Sequence, residues 1–184
     1  MTGNDMNISL FSWINGLPHF PWLDPIAVFV GNIQQKEAGG LLGAVFLYGV
    51  LFKKRNVWLG SLVLASAFWF VNETVDTLKP LLDQPRPYDI LQNVILLGGK
   101  PSSRAFPASA AALASLLFFY IYFMTRKHLL LWAALVFILG VGRVYQGLHF
   151  PGDILGGWAL GISTAWVAYG VYRFIQKRLI SWNR

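Results

Sequence analysis

The chain has 184 residues, of which 55% are hydrophobic, 16% aromatic and only 12% charged, with a formal charge of +7. Soluble globular domains carry about 25% charged residues, so this is the composition of a membrane protein. Cysteine is absent, which excludes disulfides and thiol chemistry; the basic residues are separated by long apolar runs and form no stripe, which argues against a nucleic-acid partner.

The first ten residues hold no basic side chain and no cleavage-like site follows, so no signal peptide is expected. In "NISLFSWINGL" the spacing puts Leu10, Ile14 and Leu17 on one face with Trp13 beside them, which predicts that residues 1–21 form a segment lying in the membrane interface. Two apolar segments follow, Trp22–Ile33 and Ala38–Phe52, the first short for a crossing of about 20 residues. Four longer spans are predicted at Val57–Leu78, Phe106–Met124, His128–Tyr145 and Asp153–Phe174. The expected fold is therefore all-α, an integral membrane bundle of about six transmembrane helices forming a single domain over 1–184.

Basic residues follow the second span (Lys53, Lys54, Arg55), the fourth (Arg126, Lys127) and the sixth (Arg173, Lys177, Arg178, Arg184). By the positive-inside rule these ends and both termini face the cytoplasm. The loops after spans three and five then open outward, and they hold Lys79, Arg86, Lys100, Arg104 and Arg143. Positive charge on the translocated side runs against the insertion bias and calls for a functional reason.

"KPLLDQPRP" closes span three. Lys79 before Pro80 suits a helix that proline ends, and Arg86 between Pro85 and Pro87 is held in a set direction that suits an oxyanion. Glu73, Asp76 and Lys79 recur every three residues, a spacing for ion pairing along one face. "DILQNVILLGG", Asp89 to Gly99, is too short to span and is expected at the outer interface. In "GRVYQGLHFPGD", Pro151 fits the first turn of the last span, which puts Asp153 in that turn and His149 just outside it. An aspartate there can orient one imidazole nitrogen and leave the other free as base or nucleophile; the plainer alternative is a helix-capping aspartate beside an interfacial histidine. Arg143, a charge near the end of a membrane helix, favours a functional site. His19 and His128 are expected to be interfacial. "GGLLG" (39–43) and "GGWALG" (156–161) predict close helix packing, and Trp58, Trp69, Trp132, Trp158 and Trp166 are expected to face lipid or neighbouring helices.

Lys79 followed by Arg86-Pro87, then Pro107, then Arg143, His149 and Asp153 at spacings of six and four, resembles the three ordered motifs of the type 2 phosphatidic acid phosphatases, integral membrane lipid phosphatases of the superfamily shared with vanadium haloperoxidases. The resemblance implies that His149 is the nucleophile forming a phosphohistidine, that Asp153 orients it, and that Lys79, Arg86 and Arg143 hold the phosphoryl oxygens. It implies no metal and no cofactor, and it makes a lipid phosphate in the bilayer the partner. Undecaprenyl diphosphate, phosphatidylglycerol phosphate, phosphatidic acid and a lipid A phosphate all stay open, in an inner membrane with the site facing outward.

Two departures stand out. Gly142 takes the place of a serine before Arg143. In the central motif "PASA", Ala108 stands where the family has a phosphate-binding serine and Ala110 where it has the histidine that protonates the leaving oxygen, with only Ser109 as a partial substitute. Loss of a general acid removes about 10²- to 10⁴-fold in rate. Three explanations stay open: both alanines introduced deliberately to trap an inactive form; a natural change tolerated because a diphosphate releases a weakly basic phosphate monoester; or a protein that only binds or carries lipid phosphates.

Overall fold

Every regular element in the computed structural model is a helix. It describes residues 3–32, 47, 51 and 54–182, and no strand occurs among them. In chain order the helices are α1 (Gly3–Asn15), α2 (Leu23–Asn32), α3 (Arg55–Leu82), α4 (Pro87–Ile90), α5 (Ser109–Thr125), α6 (Leu129–Tyr145) and α7 (Pro151–Trp182). At about 1.5 Å per residue, α3 with 28 residues and α7 with 32 exceed the ~30 Å hydrocarbon core. Both are apolar enough to cross, while α5 and α6 are apolar helices of 17 residues each. Apart from residues 47 and 51, the second predicted span lies outside the described residues, as do its "GGLLG" and Lys53.

Boundaries differ from the sequence expectation where backbone chemistry intervenes. Pro80 does not end α3: the helix runs two residues further and stops at Asp83, which is left-handed at φ 44° and donates its N–H to the Lys79 carbonyl at 3.1 Å. A proline there removes one N–H and leaves the remaining turn intact. α5 begins at Ser109, three residues later than predicted, because Pro107 and the extended Ala108 precede it. α2, with ten residues, is too short to cross by itself.

α5 packs closely on α7 because both present small residues there. A Cβ at Gly161 would collide with the Ala112 carbonyl and the Ser115 hydroxyl, and one at Gly157 would lie 2.5 Å from the Ala108 carbonyl. "GGWALG" is thus the close-packing stripe that its spacing predicts. Around this contact α3, α5 and α7 bury Val71, Val75, Leu116, Tyr120, Ala165 and Tyr172. Trp69, Phe137, Leu130, Trp166 and Phe174 are instead exposed, the outward apolar surface of a bundle solvated by lipid. Trp58, Trp132 and Trp158 are half-buried against neighbours.

α1 packs on the bundle through a face beside the one whose spacing predicts the interface, and the two share Ile14. Phe11, Ile14 and Asn15 are buried, while Leu10, Trp13 and Leu17 are exposed. The reason is the partner: Phe11 packs against Phe150 with tilted rings whose centroids are 5.2 Å apart, and Asn7 accepts the Gly152 N–H at 2.9 Å. Asn15 donates to the carbonyls of Ile95 at 2.8 Å and Tyr145 at 2.9 Å and accepts the Ile95 N–H at 3.0 Å. One buried amide therefore ties α1, the end of α6 and the loop after α4 together. Gly147 completes this junction: its φ is +76°, and a Cβ would meet the Ile95 carbonyl at 2.6 Å.

Candidate active site

The five cations expected on the outer side divide into two groups. Lys100 pairs with Asp89 at 3.5 Å and Arg104 with Asp83 at 2.5 Å, both at exposed positions. Lys79, Arg86 and Arg143 turn inward and line one cavity of about 450 Å³ together with His149, Ser103, Ser109, Ala110 and Gln146. No carboxylate is among the described residues lining it. Buried cations without a carboxylate partner carry a large desolvation penalty, which an anionic ligand offsets.

His149 lies on the turn between α6 and α7. Arg86 Nη1 stands 3.3 Å from His149 Nε2, and a guanidinium can only donate, so Nε2 is the unprotonated nitrogen and the proton is on Nδ1. Nδ1 faces Asp153 Oδ2 at 3.6 Å, within reach of an ionic contact but too long for a hydrogen bond. Asp153, fully buried in the first turn of α7, accepts the Phe150 N–H at 2.8 Å instead. Asp153 thus closes the turn that carries the imidazole and faces that ring at its Nδ1 edge without a hydrogen bond to it. Burial pushes the His149 pKa down to about 4; Asp153 opposes this, and Arg86 and Arg143 reinforce it. The imidazole is neutral at pH 7.

Arg86 is a clamp. Its Nε donates to the Ser103 carbonyl at 2.7 Å, Nη1 to the Leu148 carbonyl at 2.8 Å, and Nη2 to Ser103 Oγ at 3.2 Å and the Arg104 carbonyl at 3.4 Å. Lys79 Nζ donates to Ser109 Oγ at 3.1 Å and Ser103 Oγ at 3.4 Å. Lys79 does not pair with Asp76 or Glu73, which are exposed. Three helical positions turn about 300°, and the 60° offset lets the lysine point inward while the acids do not. Arg143 Nη1 donates to Gln146 Oε1 at 3.0 Å, and its buried Nε has no partner among the described residues.

Six of the sequence candidates thus share the cavity wall: Lys79, Arg86, Ser109, Ala110, Arg143 and His149. Asp153 stands behind His149. Ala108 does not reach the wall; it is fully buried, donating its N–H to the Asp153 carbonyl at 3.1 Å. Ser103 and Gln146 carry no motif signal, although an uncharged polar residue at the end of an apolar helix, as Gln146 is, marks a position worth attention. The 91–99 loop forms part of the cavity wall through Leu97, Gly98 and Gly99. His19 is more than interfacial: it lies 3.3 Å from Asp24, 3.0 Å from the Asn15 carbonyl, and stacks on Tyr145 at 4.5 Å. His128 is exposed at the start of α6.

The family model of the PAP2 superfamily matches residues 56–177, the stretch from α3 into α7 that carries all these groups. The chain belongs to the PAP2 superfamily. Undecaprenyl-diphosphatase BcrC of Bacillus subtilis strain 168 is similar to this PAP2 protein at 26% identity over 85% of the chain and 79% of its own length. Phosphatidylglycerophosphatase B of Bacillus subtilis strain 168 is 28% identical over 85% of the chain and 81% of its own. The crystal structure of a transmembrane PAP2-type phosphatidylglycerolphosphate phosphatase from Bacillus subtilis superposes with a TM-score of 0.73 over 95% of this chain and 89% of that one, and at 23% identity it establishes the shared membrane fold.

Proposed function

We propose that this PAP2 protein is a membrane lipid phosphatase that works through a phosphohistidine on His149. The observation that carries the reading is that Lys79, Arg86 and Arg143 line one cavity with His149, whose Nε2 stands 3.3 Å from Arg86, and that the described wall holds no carboxylate. Nε2 attacks phosphorus; the N–P bond forms as the bond to the leaving oxygen breaks. The three cations neutralise charge on the non-bridging oxygens, which is most of what phosphoryl transfer asks of a protein. Asp153 faces Nδ1 and stabilises the positive charge that the ring gains. Water then attacks the phosphohistidine, releasing phosphate and restoring Nε2.

Ala110 lines the cavity where the family resemblance puts the general acid. Without that proton donor, turnover depends on the leaving group, which favours a lipid diphosphate releasing a phosphate monoester over a monoester releasing an alkoxide. The relatives named for diphosphatase and phosphatidylglycerophosphatase activity support a lipid phosphate as substrate class. The proposed location is an inner membrane, with both termini cytoplasmic and the cavity outward, the orientation that the basic clusters favour. A second reading, binding or carriage of lipid phosphates without turnover, rests on the same Ala110. Phosphate release from a panel of lipid monophosphates and diphosphates separates the two, measured on the chain itself, on Ala110→His with Ala108→Ser, and on that pair combined with His149→Ala. Turnover by the paired variant that His149→Ala abolishes supports catalysis; no release from any substrate, even by the paired variant, leaves binding as the function.

A further inference from the structure

The buried amide of Gln146 is bonded at both ends. Its Oε1 accepts from Arg143 Nη1 at 3.0 Å, and its Nε2 donates to the Ala27 carbonyl of α2 at 2.6 Å. Its own carbonyl accepts the Leu97 N–H at 3.1 Å, so the residue joins α6, α2 and the loop that walls the cavity. It also borders two spaces of opposite character. One is the cationic cavity, to which α2 contributes Val28; the other is an apolar cavity of about 510 Å³ lined by Phe20, Ile26, Ala27, Phe137 and Tyr145. Adjacent residues of α2 therefore face different cavities, with Gln146 between them.

A single amide that spans from a cavity-lining guanidinium to the main chain of a short helix makes the aim of the first depend on the placement of the second. We propose that Gln146 is a positioning residue that sets Arg143 for phosphate and locks it to α2, the wall between the cationic and the apolar cavity. Arg143 has a buried Nε with no partner among the described residues, so Gln146 supplies its one described side-chain bond. Removing that bond frees the guanidinium to swing while its charge stays in place. The inference rests on the reading that the cationic cavity takes a phosphate.

The test is inorganic phosphate binding by the full chain in detergent, measured by calorimetry together with thermal stability. Gln146→Met has similar length and volume and makes neither bond. Gln146→Glu, kept in case the methionine variant does not fold, retains an acceptor for Arg143 but offers no donor to Ala27 and offsets the guanidinium charge. Each is expected to weaken phosphate binding about 10- to 100-fold, the range for a hydrogen bond to a charged group. In an Arg143→Lys background the methionine substitution is expected to add almost nothing, since the partner it positions has gone. Unchanged affinity in a folded variant, or full additivity with Arg143→Lys, overturns the inference while leaving the phosphate reading intact. No phosphate binding by the unaltered chain overturns that reading and the inference with it.

Discussion

Ala110→His is the substitution that most directly probes the chemistry. Ala110 is the second residue of α5, 8% exposed and on the wall of the cavity, beside Ser109 whose hydroxyl takes a hydrogen bond from Lys79 at 3.1 Å. An imidazole displaces about three waters, roughly 90 Å³ at ~30 Å³ each, about a fifth of a cavity of about 450 Å³, so a bound phosphate still fits. A positioned general acid contributes about 10²- to 10⁴-fold, or about 2.7 to 5.4 kcal/mol of barrier, when the leaving oxygen is an alkoxide. It contributes far less when the leaving group is itself a phosphate. The expected result is selective: kcat for lipid monophosphates rises by at least about 10²-fold, while diphosphate turnover changes by less than about tenfold. Steady-state phosphate release on matched monophosphate and diphosphate lipids of one chain length reads this directly. Equal gains on both substrates would show that the histidine acts on binding or folding, and the leaving-group argument would be wrong.

Three further outcomes follow from the geometry. Because burial holds the His149 pKa near 4, the neutral nucleophile persists as pH falls, so the acid limb of kcat/KM is expected near pH 4 and not near the ordinary 6.5; a limb at 6.5 in the pH–rate profile shows an imidazole open to water. Ser103→Ala removes the hydroxyl that accepts from both Lys79 Nζ and Arg86 Nη2; KM is expected to rise about 10- to 100-fold with kcat less affected, on the scale of about 1.5 to 3 kcal/mol for a hydrogen bond to a charged group, and a fall in kcat alone contradicts a purely positional role. Gly161→Leu drives a side chain into the Ala112 carbonyl and Ser115 hydroxyl, so detergent-solubilised thermal unfolding is expected to show a loss of at least about 1 to 3 kcal/mol; an unchanged transition contradicts the tight α5–α7 contact.

How much of this could be read from the sequence depends on what kind of signal each part leaves. Hydrophobic runs made the long helices legible because twenty apolar residues have few other uses. Charge on the disfavoured side made Lys79, Arg86 and Arg143 legible, since each is expensive unless used. Helix ends were less so: Pro80 reads as a stop and is not, because the stop belongs to the left-handed Asp83. The packed side of α1 was not legible, because periodicity reports which side is apolar, while Asn15, Asn7 and Phe11 are held by partners more than 80 residues away in the chain. Ser103 was invisible for the same reason, as one hydroxyl in an irregular loop has no period.

The three cations are not equivalent, and their bonding says how a phosphate is received. Every nitrogen of the Arg86 side chain is occupied, holding the carbonyls of Ser103, Arg104 and Leu148 and facing His149 Nε2. A phosphate drawing on Arg86 must compete with the bonds that fix the loops, so its strongest contribution is fixed charge beside the nucleophile. Among the described residues Lys79 is bonded to two hydroxyls, which can turn to a phosphate oxygen as donors once it arrives. Arg143 carries a buried N–H with no described partner. On the proposed reading, capture falls to Lys79 and Arg143, and Arg86 serves the attack. Arg86→Lys is accordingly expected to lower kcat more than it raises KM, with Lys79→Ala and Arg143→Ala showing the opposite balance in the same lipid phosphate assay; identical KM effects from all three would mean that the loop clamp yields its donors to the substrate.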